Sequence, residues 1–123
     1  MSLRLMLDEN ISYVVSEQIR QKNATVSIES VHTWRDGAYM GAPDDDLIAA
    51  LHMEGWLLVT YDTQILAEQP FLFDGSLPFR GILFVDERTI VPNDFGSLVR
   101  ALLAFWETHQ AESWEGRMGF LNR

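Results

Sequence analysis

The sequence predicts an α/β fold, a three-layer α/β/α sandwich around a mostly parallel central sheet. Two observations carry that expectation. Short, nearly all-apolar runs at residues 3–7, 56–60 and 81–85 have the length and continuity of strands buried on both faces. Between them lie segments with helical apolar stripes, and strands alternating with helices imply parallel crossovers covered on both sides. At 123 residues the chain is expected to be a single domain, residues 1–123, large enough to bury a core without staples.

The elements follow in order. Residues 3–7 form the first strand, stopping at Asp8-Glu9-Asn10. Residues 11–22 form a helix with Ile11, Val14, Val15 and Ile19 on its apolar side, Asn10 as N-cap and Asn23 as a left-handed end. Residues 26–32 alternate as a second strand. Residues 34–43 carry Gly37, Gly41 and Pro43 and read as a loop. Residues 44–54 form a helix with acids in its first turn, Leu47, Ile48 and Leu51 as its stripe, and Gly55 just past its end. Residues 56–60 are the third strand, and residues 63–67 form one helical turn. Residues 68–80 are a loop with Pro70, Gly75 and Pro78. Residues 81–85 are the fourth strand. A last helix, capped by Asn93 or Asp94, runs to about His109, and residues 118–121 read as a short edge strand.

Composition bounds the function. Hydrophobic residues make up 47% and charged residues 22%, the balance of a globular protein. There is no cysteine, which excludes disulfides, zinc–thiolate sites and thiol catalysis. No apolar run approaches the roughly 18–20 residues of a membrane helix, and the N-terminus lacks signal-peptide features, so a cytoplasmic protein without membrane attachment is expected. A net charge of -9 argues against a general nucleic-acid coat and suits a basic protein partner.

Parallel sheets place their sites beyond the carboxyl ends of the strands. Asp8 and Asp62 end the first and third predicted strands, and Asp44 opens the helix that feeds the third. Three acidic points distant in sequence are thus expected on one rim, with Asp45 beside them and Asp46 favouring the helix start. Crowded carboxylates repel by roughly 4 kcal/mol at 4 Å and an effective dielectric near 20. A shared proton or a cation relieves this, and hard oxygen donors select Mg²⁺, Mn²⁺ or Ca²⁺. Such a site suits phosphodiester hydrolysis, with Asp8 as the central ligand and Thr60 or Thr63 donating supporting hydrogen bonds. Each acid taken alone also has an ordinary structural reading, as a strand end or a helix N-cap. Arg35 is a candidate phosphate contact, though a plain surface arginine fits as well. His32, His52 and His109 are scattered. Trp34, Tyr39, Phe71, Phe73 and Phe79 lie in predicted loops, either exposed for partners or folded back over the core.

These motifs resemble a known family. Leu5-Met6-Leu7-Asp8-Glu9-Asn10 is similar to the opening of compact PIN-like domains. Ala42-Pro43-Asp44-Asp45-Asp46-Leu47 resembles their Ser-Asp-Glu-Glu-Leu helix start, and the alignment puts Asp44 on the family acid. Residues 54–62, Glu-Gly-Trp-Leu-Leu-Val-Thr-Tyr-Asp, resemble their third-strand motif. The resemblance covers residues 3–85. It implies a PIN-type sandwich and a ribonuclease dependent on Mg²⁺ or Mn²⁺, with Asp8, Asp44 and Asp62 catalytic and Asp45 a further ligand. Glu9, Asn10, Thr60, Thr63, Gln64 and Arg35 would support the site or touch the RNA substrate. An antitoxin partner, as in VapC-type toxin–antitoxin pairs, and a homodimer also follow from the resemblance. The family commonly continues Thr-x-Asp-x-Asp-Phe, whereas Gln64 and Ile65 stand here. That departure keeps a second expectation open, a catalytically degenerate module that binds RNA or protein without cleavage. A phosphoacceptor receiver domain shares the acidic strand ends but needs a lysine after a late strand, where this chain has Asp86-Glu87-Arg88.

Overall fold

A computed structural model describes residues 2–68 and 78–123. Five strands form one all-parallel sheet in the order β2-β1-β3-β4-β5. They are β1 (Arg4–Leu7), β2 (Ser27–Ser30), β3 (Leu57–Thr60), β4 (Ile82–Val85) and β5 (Met118–Leu121). The helices are α1 (Tyr13–Lys22), α2 (Asp44–Glu54), the short α3 (Ile65–Glu68) and α4 (Phe95–His109). The expected layers are therefore present, and the tail strand is parallel to β4.

Strand pleating sorts the core into two halves. Leu5, Leu7, Val59, Leu83 and Val85 face α1 and α4, where Val15, Ile19, Leu98, Leu102 and Trp106 meet them. Met6, Leu58, Ile82 and Phe84 face the other side, against Leu47, Ile48 and Leu51 of α2 with Trp34, Trp56 and Phe79. Fully burying one such aliphatic side chain contributes about 1.5–3 kcal/mol, so the three central strands, apolar on both faces, dominate stability. Trp106 also donates its indole N–H to the Leu3 carbonyl at 3.1 Å, tying α4 to the chain segment that enters β1.

Local differences from the sequence reading have physical causes. Ser12, not Asn10, caps α1, because its hydroxyl accepts from the Val14 N–H at 3.3 Å. Asn23 is extended (φ -150°) rather than left-handed, and its carboxamide oxygen accepts from the Thr25 N–H and hydroxyl instead. The loop after β2 contains a short turn, Trp34–Gly37, in which Arg35 and Asp36 are both left-handed at φ 51° and 56°. That conformation costs roughly 1–2 kcal/mol per residue, and burial of Trp34 with Tyr39 stacked on it at 5.1 Å offsets it. Trp34 and Phe79 are thus core residues and Tyr39 is half-buried, while Phe71 and Phe73 lie outside the described residues. Gly81 has φ +121°, and a side chain there would meet the Trp114 carbonyl oxygen at 2.7 Å. Asp94 caps α4 as expected, accepting from the Ser97 N–H at 3.2 Å.

The chain order positions the site. From β1 the chain runs to β2 on one side, then crosses back to β3 on the other. The switch point of the sheet therefore lies between β1 and β3, and the crevice beyond their carboxyl ends is where such sheets hold ligands. Among the described residues, no helix is long and apolar enough to cross a membrane.

Candidate active site at the switch point

Asp8 follows β1 directly, and its N–H continues the sheet by donating to the Val59 carbonyl at 2.9 Å. The residue is only 7% exposed. One carboxylate oxygen, Oδ2, accepts from the Thr60 hydroxyl at 2.7 Å, and Oδ1 accepts from the Glu9 N–H at 2.8 Å. Burial pushes the Asp8 carboxyl above its ordinary value. The two hydrogen bonds oppose that shift, and the neighbouring charges of Glu9 and Asp62 add to it.

Thr60, the last residue of β3, is fully buried and joins the parts of the site. Its hydroxyl accepts from the Asp62 N–H at 3.0 Å and from the Asn10 amide at 3.2 Å. A hydroxyl has one hydrogen and two lone pairs. Both lone pairs are engaged, so its hydrogen is directed at Asp8. Asn10 also accepts from the Tyr61 N–H at 3.4 Å, and Asp62 accepts from the Gln64 N–H at 3.0 Å, which shapes the turn after β3.

Glu9 joins this rim to its neighbours. Its carbonyl accepts from His32 Nε2 at 2.7 Å, and its carboxylate accepts from the Gly41 N–H at 3.3 Å in the loop that leads to α2. A carbonyl only accepts, so Nε2 carries the imidazole proton. His32 is the rim residue that sequence reasoning missed. The signal was available, since it lies just past β2 and so on the same edge as Asp8.

The expected three-way convergence of carboxylates is the part the structure does not supply. Among the described residues, no three His, Asp or Glu side chains stand close enough together to hold a metal ion. Asp44 is half-buried in the first turn of α2, and Asp45 is exposed there and accepts from the Asp46 N–H at 3.0 Å, where acids stabilise a helix start. The charges that raise the Asp8 carboxyl are those of Glu9 and Asp62. Arg35 pairs with Glu54 at the opposite end of α2 from Asp44, away from the rim. Thr63 and Gln64 are exposed just beyond β3.

The donor chemistry at Asp8 and Asp62 still fits a hard cation. Mg²⁺ is commonly held by one or two carboxylates, its remaining positions taken by water and substrate phosphate, rather than by an all-protein cage. A desolvated carboxylate beside two like charges is the kind of group a cation would relieve.

Fold and site together define a class, a doubly wound α/β domain with carboxylates at its switch point. Within that class the chain belongs to the PIN-like domain family, whose family model, described as a PIN like domain, matches residues 3–70, more than half of the sequence. No curated protein and no solved structure matches the chain. PIN-like domains are generally a nuclease fold and generally use divalent metals. The matched span holds Asp8, Asp44, Asp62 and Gln64, whereas β4, α4 and β5 lie beyond it.

Proposed function

We propose that the chain is a metal-dependent ribonuclease of the PIN type, hydrolysing RNA phosphodiesters at the rim shared by Asp8 and Asp62. The observation that supports this reading is the Asp8 carboxyl group, nearly buried and beside two further acids at the switch point. A packing role there would be filled better by an apolar side chain, and perturbed carboxyl groups at a crevice mark functional sites.

Asp8 and Asp62 would hold Mg²⁺ or Mn²⁺, with Asp44 and Asp45 the next acids in the family pattern. A bound ion of this kind activates water and stabilises charge on the phosphate and leaving oxygens. The chain's own residues prepare that chemistry. Thr60 fixes the orientation of the Asp8 carboxyl group, while Asn10 and the Asp62 N–H hold Thr60. His32 and Gly41 hold Glu9, the residue that donates to Asp8 through its backbone. A place as the toxin of a toxin–antitoxin pair in the cytoplasm, with a basic antitoxin matching the -9 charge, belongs to the same proposal.

A second reading draws on Gln64 and on the lack of a three-carboxylate group among the described residues. It is a degenerate module that binds RNA or a protein partner without cutting. The deciding experiment incubates single-stranded RNA with wild type and Asp8→Asn in Mg²⁺ or Mn²⁺, with a chelator control. Cleavage that needs metal and disappears in the variant is expected. Full activity of the variant overturns the nuclease reading, and RNA binding without turnover by wild type establishes the second.

A further inference from the structure

We propose that the open cavity beside Asp62, between the carboxyl ends of β3, β4 and β5, is a nucleobase subsite that prefers guanine. This rests on the nuclease reading above and adds to it the base that sits beside the reacting phosphate. The cavity measures about 470 Å³, within the range of small-ligand sites. Tyr61, Asp62 and Gln64 line it from just beyond β3, Glu87 and Arg88 from just beyond β4, and Phe120 from β5. Phe120 is 55% exposed, with the ring of Phe84 behind it at 5.5 Å between centroids. An exposed ring backed by a second ring is a stacking platform, and every base has a face to stack on it.

Charge decides which part of a nucleotide enters. Among the described residues, Asp62, Asp86 and Glu87 line the cavity against one cation, Arg88. That guanidinium is already committed, donating to Asp86 through Nε at 3.2 Å and Nη2 at 3.1 Å. Phosphate is therefore disfavoured inside, whereas a neutral base is not. Asp86 is paired with Arg88, and Asp62 belongs to the proposed metal site, so exposed Glu87 supplies the acceptor pair.

A carboxylate only accepts hydrogen bonds. Guanine presents N1–H and an N2 amino hydrogen side by side, a matched pair of donors. Adenine and cytosine set an amino group beside an acceptor nitrogen. Uracil sets one N–H between two carbonyls. Each of these turns at least one lone pair toward Glu87.

Calorimetric titration of the full chain with GMP, AMP, CMP and UMP in Mg²⁺ tests the subsite. GMP should bind about tenfold more tightly than UMP, and Phe120→Ala should weaken all four about tenfold, the scale of one base–aromatic stack. Phe120→Leu keeps the apolar contact with Phe84 but should bind as poorly as Phe120→Ala, and Phe120→Tyr should restore binding. Glu87→Gln should erase the guanine preference. Equal affinity for all four nucleotides, no binding, or GMP affinity unchanged in the Phe120 and Glu87 variants overturns the subsite. Cleavage of an oligouridine carrying one guanosine, assayed in parallel, separates the two claims. Guanine-selective binding without cleavage supports the subsite while overturning the nuclease reading, and cleavage indifferent to the guanosine overturns the subsite alone.

Discussion

The two rims of the sheet treat charge in opposite ways. Near the start of β1 and the end of α2, the Arg4 guanidinium lies 3.9 Å from the Trp56 ring centroid and donates to the Glu54 carbonyl. Arg80 donates to the His52 carbonyl at 3.2 Å. Both arginines meet the negative end of the α2 dipole, where cations are favourable. Arg35 adds an ion pair with Glu54. At the carboxyl-end rim, Asp8 is nearly buried with Glu9 and Asp62 as its charged neighbours. The first rim is neutralised for stability. The second concentrates like charge at the switch point of the sheet, an arrangement that stability alone does not favour.

Substitutions at the two rims should separate accordingly. The largest effect expected is on activity, where Asp8→Asn should lower metal-dependent RNA cleavage at least about a hundredfold, the scale for losing one charge-stabilising group at an active centre. Circular dichroism should show the fold retained. Next, Thr60→Val should cost about 2 kcal/mol in urea unfolding, because Asp8, Asn10 and the Asp62 N–H each lose a partner. Cleavage should fall with it, and Thr60→Ser should recover most of both. If Thr60→Val is as stable as wild type, the hydroxyl is not the link between the strands. Arg4→Met should cost only about 1 kcal/mol and leave cleavage unchanged, since it removes a helix-end charge and a ring contact remote from Asp8. A variant with normal stability and impaired cleavage would reverse the roles assigned to the two rims.

The smallest expected effect is a pH trend. The folded-state pKa of Asp8 lies above the reference value of 3.8, so the folded chain keeps this proton when the unfolded chain has lost it. That contribution to stability is fully present below the unfolded pKa and is lost as pH rises through the folded one. Asp8→Asn cannot titrate, but it sacrifices one of the two hydrogen bonds, because an amide has only one accepting atom. The stability of wild type relative to this variant should therefore fall as pH is raised from about 3.8 toward neutrality, followed by thermal unfolding. A gap that grows with pH would show that the buried charge is not the dominant cost.

The parts legible in the sequence are those set by local chemistry. Apolar runs announce β1, β3 and β4, the acids and Gly55 bracket α2, and the strand ends place Asp8 and Asp62 on one edge. The parts missed depend on contacts distant in sequence. Nothing local distinguishes Ser12 from Asn10 as the cap of α1, and nothing local shows that Arg35 and Asp36 adopt left-handed conformations while Trp34 is buried. The paired bonds from His32 and Gly41 to Glu9 need β2 and the following loop in place. The cavity at Phe120 needs β5 paired beside β4. Asp44 is the converse case. Its position on the correct side of the sheet was legible, but belonging to that edge did not bring it into a three-carboxylate group with Asp8 and Asp62.

The placement of β1 has a consequence for the order of assembly during synthesis. It precedes the other four strands in the chain yet sits inside the sheet, between β2 and β3. As the chain emerges, β1 can pair only with β2 until β3 has been made, and the bond from Trp106 to the Leu3 carbonyl must wait for α4. Closing such long loops is slow relative to local pairing. Asp8 therefore remains without Thr60 and Asp62 while roughly the first half of the chain is translated, and a nascent fragment ending before β3 carries the first acid but no assembled rim.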